Sequence, residues 1–332
     1  MIRHTLRTLL ACAFFSIAFS TAASADDCKL ARIASFDFAE NGAIIVPVSI
    51  NGTSVQMAFD TGAPLSAIDP NVANNLALPQ RRIMQGVVYN EAGQPFSYIA
   101  TVHDFGLGTA HASNLEFLVW PSPISTSMQI GGTLAADLLR HYDVDIDFGA
   151  HKLNLFSQDH CPGRVVYWTS DNVAVVPVHV VESGHVIVPV TLDGQSFDAV
   201  LDTGSTFSSL SQEAAYNTFR LSPGSPDMTN IGDIGPGKVP VYRHTFKSLA
   251  LDGLSIGNPA ISIFEVGAKV HAPTHLGSRI ADYDERGGNT DFVLGLNELR
   301  HLHLYIAYKE QKLYITPAVS PAASPNPGSA AP

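Results

Sequence analysis

The chain has 332 residues, with 19 Lys and Arg against 30 Asp and Glu, a formal net charge of −11 and no basic run. Such a chain is a poor partner for phosphates or anionic lipid, which argues against nucleic acid and membrane-surface binding. Its length suffices for two domains of ordinary size, each able to bury a core.

Residues 1–25 read as an export signal. Arg3 and Arg7 make a basic start, Leu9 to Phe19 form an apolar run too short to span a bilayer, and Ala23-Ser24-Ala25 offers a small-residue cleavage site. Periplasm and full secretion both remain open. A rival reading takes Leu9-Leu10-Ala11-Cys12 as a lipid-attachment box, but Cys12 precedes most of the apolar run and would leave Phe14 to Phe19 on the mature protein. Removing the segment takes away two Arg and no acid, so the mature balance is −13, from 17 basic and 30 acidic residues. Two cysteines remain, Cys28 and Cys161. In an oxidising compartment an even pair predicts one disulfide, which would staple the mature N-terminus to the connection between halves; two free thiols are the alternative. The pair is too far apart for zinc-ligand spacing.

Ile44 to Phe59 is rich in Val and Ile around Asn51-Gly52, a dipeptide suited to a type I′ hairpin turn because both central residues need positive φ. Asp60-Thr61-Gly62-Ala63 follows. Further on, the pattern predicts a short helix over Asn71 to Leu76, strands over Tyr98 to Val102, Leu115 to Trp120 and within Val144 to Phe156, and a helical turn after Ala135. Val173 to Leu201 has the same character around Asp193-Gly194 and leads into Asp202-Thr203-Gly204-Ser205. A helix over Gln212 to Phe219, strands within Phe246 to Leu254, Ala260 to Val266 and Leu302 to Ile315, and a turn after Gly295 complete the pattern. Short β-rich runs with close turns predict an all-β fold. Two lobes are expected, 26–157 and 173–316, joined by a linker at 158–172. The polar stretch 267–289 reads as a surface insertion, with a specificity rim or an inhibitory loop as alternatives. Residues 317–332 are almost all Pro, Ala, Ser, Gly and Asn, and predict a disordered tail.

The two halves superpose in sequence without a gap. Ile45-Val46-Pro47-Val48 falls on Ile187-Val188-Pro189-Val190 at an offset of 142 residues, and the same offset carries Asp60 to Asp202. Each half reads strand, tight turn, strand, Asp-Thr-Gly, which is a duplicated half-domain rather than a solenoid repeat. On these residues the chain resembles the aspartic peptidases, and its short halves resemble a fused pair of retropepsin-like domains. The family's second motif, two apolar residues and Gly before a short helix, matches Val293-Leu294-Gly295-Leu296; in the first half Thr133-Leu134-Ala135-Ala136 has Ala135 in place of Gly.

The resemblance implies a peptidase with Asp60 and Asp202 as its catalytic dyad and no cofactor. Two carboxylates sharing one proton across a water activate that water and polarise the scissile carbonyl together. Held about 3 Å apart they do not both ionise readily, so one is the acid and one the base. Gly62 and Gly204 permit the tight turn and let amide N–H groups approach the carboxylates. In the resembling family Thr61 and Thr203 hydrogen-bond across to the opposite loop. Ser205 is able to donate its hydroxyl to Asp202, as Ala63 is not to Asp60, which predicts Asp202 as the more acidic partner. An extended peptide is the expected partner, bound between halves of one monomeric chain by strand-like hydrogen bonds. Flap candidates are Gly86 to Tyr98, with Tyr89 or Tyr98 over the dyad, and Ile231 to Tyr242 with Gly232, Gly235 and Gly237.

Other clusters read more simply. Asp143, Asp145 and Asp147 begin like a calcium loop but lack Gly and Glu at the sixth and twelfth positions, so a strand with a wet acidic face is the plainer account. His301 and His303, and His271 and His275, read as surface residues rather than metal ligands. The rival to the enzyme reading is a non-catalytic peptide-binding or envelope-assembly module on the same fold, supported by Ala135 and by the Ala63/Ser205 asymmetry.

Overall fold

The computed structural model describes residues 28–40, 42–83, 97–120, 130–234, 238–265 and 291–319. The expected signal with Cys12, the flap residues Tyr89 and Gly235, the 267–289 insertion and the tail from 320 onward lie outside them.

Both hairpins form as their turn residues dictate. Asn51 and Gly52 have φ of 49° and 82°, and Asp193 and Gly194 have φ of 46° and 80°. Ile45–Ile50 pairs with Thr53–Phe59, and Val186–Leu192 with Gln195–Leu201, so the 142-residue repeat of the sequence is a repeat of the backbone. Alternation sets the faces: Val46, Val48 and Ile50 are buried on one side while Pro47 between them is exposed, and Val188, Val190 and Leu192 repeat the pattern around Pro189. Each such side chain contributes about 1.5–3 kcal/mol on burial.

Each half then makes the same crossing. Gly132–Leu134 lies parallel to Thr53–Phe59, with Phe59 beside Leu134, and antiparallel to the return strand Ala67–Ile68. In the second half Phe292–Leu294 runs parallel to Gln195–Leu201 and antiparallel to Ser209–Ser211. The loop carrying Asp-Thr-Gly therefore straddles a third strand in each half. Short helices Ala136–Leu139 and Leu296–Leu299 follow that third strand, where turns were predicted. Pro70–Asn75 and Gln212–Phe219 are the other two helices among the described residues, capped by the side chains of Asp69 and Ser211.

Among the described residues the sheets number three: seven strands from the first half, ten from the second, and six drawn from both. In the shared sheet Asp143–Asp147 of the first half pairs directly with Leu302–Ala307 of the second. Arg32–Asp37, a strand without clear signal in the sequence, forms one edge and Ala174–Pro177 the other. The length permits two separate cores; the structure builds one main core that spans both halves, from Ala34 to Ile315, because the strands after each second motif pair with one another. The architecture is all-β and two-lobed. The last strand, Lys312–Pro317, reaches beyond the start of the low-complexity composition, and Ala318 N–H donates to His301 O at 2.8 Å.

The outer face of the shared sheet corrects the expectation of a wet acidic strand. Asp143 and Asp145 are fully buried. Asp143 Oδ2 lies 2.6 Å from His160 Nε2, and Asp145 Oδ1 lies 2.7 Å from His303 Nε2. Tyr167 donates its hydroxyl to Asp145 Oδ2 at 2.7 Å, and Trp168 stacks on His303 with ring centroids 4.4 Å apart. His303, read from sequence as a surface residue, is thus an interior one. The connection from 157 to 173 crosses this face and shields it, and a disulfide joins Cys161 in that connection to Cys28, their Cα atoms 5.3 Å apart. Periodicity showed that the acids share a face; which distant segment covers that face is not a periodic property.

Candidate active site

Two loops meet at the junction of the halves. The strand into each aspartate is locked by a backbone bond to the threaded strand, Asp60 N–H to Leu134 O at 2.9 Å and Asp202 N–H to Leu294 O at 3.0 Å. Each carboxylate is then held by its own turn. Asp60 Oδ1 accepts from Gly62 N–H and Ala63 N–H, both at 2.9 Å, and Asp202 Oδ1 accepts from Gly204 N–H at 2.8 Å and Ser205 N–H at 3.0 Å. Both aspartates are half-buried, so the carboxylates are in reach of solvent.

The loops also fit into each other. A Cβ on Gly62 would fall on the carboxyl group of Asp202, and a Cβ on Gly204 would fall on that of Asp60. Each carboxylate thus sits over the opposite motif's glycine, which brings the two acids into one site. Beneath them Thr61 and Thr203, both fully buried, bond across the junction: Thr61 N–H to Thr203 Oγ1 and Thr203 N–H to Thr61 Oγ1, each at 3.1 Å.

A profile of the aspartyl protease family matches residues 46–138 and 188–297. The chain belongs to the aspartyl protease family. Each matched stretch carries one Asp-Thr-Gly loop and its threaded strand, so this aspartyl protease holds two copies of the family's unit. Among curated proteins none matches the chain.

Ser205 does not act as the sequence predicted for this protease. Its hydroxyl donates to Phe207 O at 2.9 Å, and only its backbone N–H serves Asp202. A carbonyl two residues ahead is the local acceptor that wins the hydroxyl. The asymmetry expected from Ser205 against Ala63 therefore loses its stated cause.

Ala135, the departure from the second motif, is accommodated. Its N–H donates to Ser66 Oγ at 2.9 Å, as Gly295 N–H donates to Ser208 Oγ at 2.9 Å. These two serines, six residues past each aspartate, went unread in the sequence although the 142-residue offset relates them. Ser66 is fixed in turn by Asp137, whose Oδ1 accepts from its N–H at 3.0 Å and its hydroxyl at 2.6 Å. Asn297 takes the matching place, its Oδ1 accepting from Ser208 N–H. Burial pushes the Asp137 carboxyl up despite the bonds from Ser66. Burial likewise raises Glu298, which accepts from Ala260 N–H.

The flap regions are hairpins at their bases. Gln80–Arg82 pairs with Tyr98–Leu107, and Thr229–Ile234 with Val239–Thr245. Tyr98 sits at the first position of its strand, opposite Arg82 and 46 % exposed. Beside the second motif the Arg243 guanidinium lies 5.3 Å from the exposed Phe207 ring, whereas the first half has an apolar group of Leu65, Ile83 and Trp120 around Ala67, Ile99 and Leu118. Among the described residues no group of three His, Cys, Asp or Glu could hold a metal ion, and no helix is long and apolar enough to cross a membrane.

Proposed function

We propose that the chain is an aspartic endopeptidase in which Asp60 and Asp202 activate one water. The observation that carries this reading is the interlocking of the two loops: each carboxylate lies over the other motif's glycine, with crossed threonine bonds below. In the reaction one carboxylate takes a proton from the water, whose oxygen attacks the scissile carbonyl carbon. The other carboxyl group gives its proton to the carbonyl oxygen. Collapse of the tetrahedral species breaks the C–N bond, and the departing amine nitrogen takes a proton from the dyad. Amide donors already fixed on each Oδ1 supply preorganisation.

An extended peptide is the substrate class, lying between the halves. Thr229–Ile234 is exposed along its whole length at the edge of its sheet, which suits strand addition by such a peptide. One chain supplies both aspartates, so the working unit is a monomer. The basic and apolar start of the sequence supports export, with residues 1–25 as the signal. Incubation of the mature protein with a broad peptide library from acid to neutral pH tests the reading. Cleavage by wild type that Asp60→Asn and Asp202→Asn both abolish is the expected result; a folded wild type that cuts nothing, or cuts equally well as either variant, overturns it and favours a peptide-binding module.

A further inference from the structure

Beside each Asp-Thr-Gly loop a row of paired residues crosses the sheet, and the two rows differ in chemistry. In the first half Ala67 pairs with Leu118, Leu118 with Ile99, and Ile99 with Arg81. In the second half the same ladder runs Ser209, Ser262, Arg243, Thr229. Ala67 and Ser209 are 142 residues apart, so the offset that carries Asp60 onto Asp202 also sets the rows in register. Directly paired residues project from one face of a sheet, so each row lays its side chains side by side.

The face in the first half is apolar. Ala67, Ile99 and Leu118 form a buried group, and Leu65, Ile83 and Trp120 pack on it while still partly exposed. The cation at the end of that row already has a partner, since Arg81 pairs with Glu116 at 2.8 Å. In the second half Ser, Ser and Arg stand where the first has Ala, Leu and Ile.

Arg243 is joined to the dyad loop through its side chain. Its guanidinium lies over the Phe207 ring, 5.3 Å from the centroid. Phe207 is five residues past Asp202, and its carbonyl accepts the Ser205 hydroxyl at 2.9 Å. The same carbonyl group packs so closely on Gly295 of the second motif that a Cβ there would come 2.6 Å from it. The ring is therefore fixed at the rim of the site, half open to solvent, with the guanidinium against it. Leu65 holds the corresponding place five residues past Asp60, on the group that contains Ile99.

Among the described residues the Arg243 guanidinium has no hydrogen bond and no carboxylate partner, and Phe207 is its one close contact of this kind. A contact with a ring leaves the fork of N–H donors to a planar carboxylate, which it meets bidentately. The chain carries a net charge of −11, so its overall field does not draw acidic peptides in; selection of one requires a local cation.

We propose that Arg243, held by Phe207, is a specificity-determining residue that takes an acidic side chain of the substrate on the second half's side of the scissile bond, while the group around Ile99 takes an apolar one on the first half's side. The proposal rests on the dyad reading above and gives that site its substrate class: peptides with an acidic residue on one flank of the cleaved bond and an apolar residue on the other.

The test uses the mature protein and C-terminally amidated peptides, so that side chains supply the only carboxylates. Around one cleaved bond each flanking position is set in turn to Glu, Gln or Lys, and kcat/KM is read at about pH 5.5, above the ordinary glutamate pKa of about 4.3. Wild type is expected to prefer Glu over Gln about tenfold on one flank alone, the scale of a charge-assisted hydrogen bond. Arg243→Ile, which gives the second half the residue of the first, brings that ratio to about one. Arg243→Glu turns the preference to Lys, a reversal that a merely structural arginine would not produce. Phe207→Ala lowers the Glu-to-Gln ratio in part. A wild type indifferent to Glu on both flanks, or a Glu preference unchanged in Arg243→Ile, overturns the proposal. The same peptides bound to Asp60→Asn, followed by fluorescence anisotropy, read the Glu-to-Gln ratio without turnover. Absence of dyad-dependent cleavage would thus remove the peptidase reading, while binding still decides the role of Arg243.

Discussion

The hydroxyl of Thr61 accepts from Thr203 N–H and donates to Leu201 O at 2.7 Å, while the hydroxyl of Thr203 accepts from Thr61 N–H and donates to Phe59 O at 2.9 Å. Two side chains thus satisfy four buried backbone groups, and every one of these bonds crosses from one half to the other. Thr61→Val keeps the shape and removes the hydroxyl, which orphans one N–H and one C=O at about 1–3 kcal/mol each. The expected outcome is a melting temperature several degrees lower and a large loss of kcat, with Thr61→Ser close to wild type in both. Equal damage from Ser and Val would assign the effect to packing instead.

A methyl group at Gly62 has no room beside Asp202, and one at Gly204 none beside Asp60. Gly62→Ala and Gly204→Ala should each push one carboxylate out of place, and a displacement on the order of 1 Å costs roughly a hundredfold in rate. Thermal melts run beside the assays check that the loss is one of geometry, since either protein should remain folded. Retained activity in either variant would contradict the interlocked arrangement.

The Asp137 and Asn297 pair offers a substitution that the protein has already made once. Both oxygens accept from the N–H of the serine six residues past an aspartate, but only Asp137 carries a charge that burial disfavours. Its carboxyl is raised above 3.8 in the folded chain, so the folded state holds the proton more tightly than the unfolded one, and this group's contribution to stability falls as pH rises above about 4. Asp137→Asn removes that loss. Its melting temperature relative to wild type should climb between pH 3.5 and 7; a difference independent of pH would show that ionisation is not involved.

What the sequence made legible follows physical periodicity and repetition. Asn51-Gly52 and Asp193-Gly194 announce their turns because few residues adopt positive φ, and the register of the two motifs survives because the hairpins before them have equal length. Ser205 was misread because its hydroxyl has a nearer acceptor in Phe207 O, which only coordinates reveal. The burial of Asp143 and Asp145 depends on a connection folding back over the sheet, a long-range event that alternation along a strand does not encode.

That covered face is predicted to be structural. His303→Ala takes one donor from the fully buried Asp145 and should cost about 3 kcal/mol, seen as a lower denaturant midpoint. Adding Asp145→Asn should recover part of the loss, since the uncompensated charge is then gone. If the double variant is as unstable as the sum of the two single ones, charge is not what couples the pair.

The most direct test of the account is whether Asp60 and Asp202 act as one unit. The measurement is kcat/KM on a single cleaved peptide for wild type, Asp60→Asn, Asp202→Asn and the double variant. Groups that share one proton and one water are strongly non-additive, so each single variant should lose nearly as much as the double. Losses that multiply, or a single variant that keeps near-wild-type activity, would contradict a shared dyad.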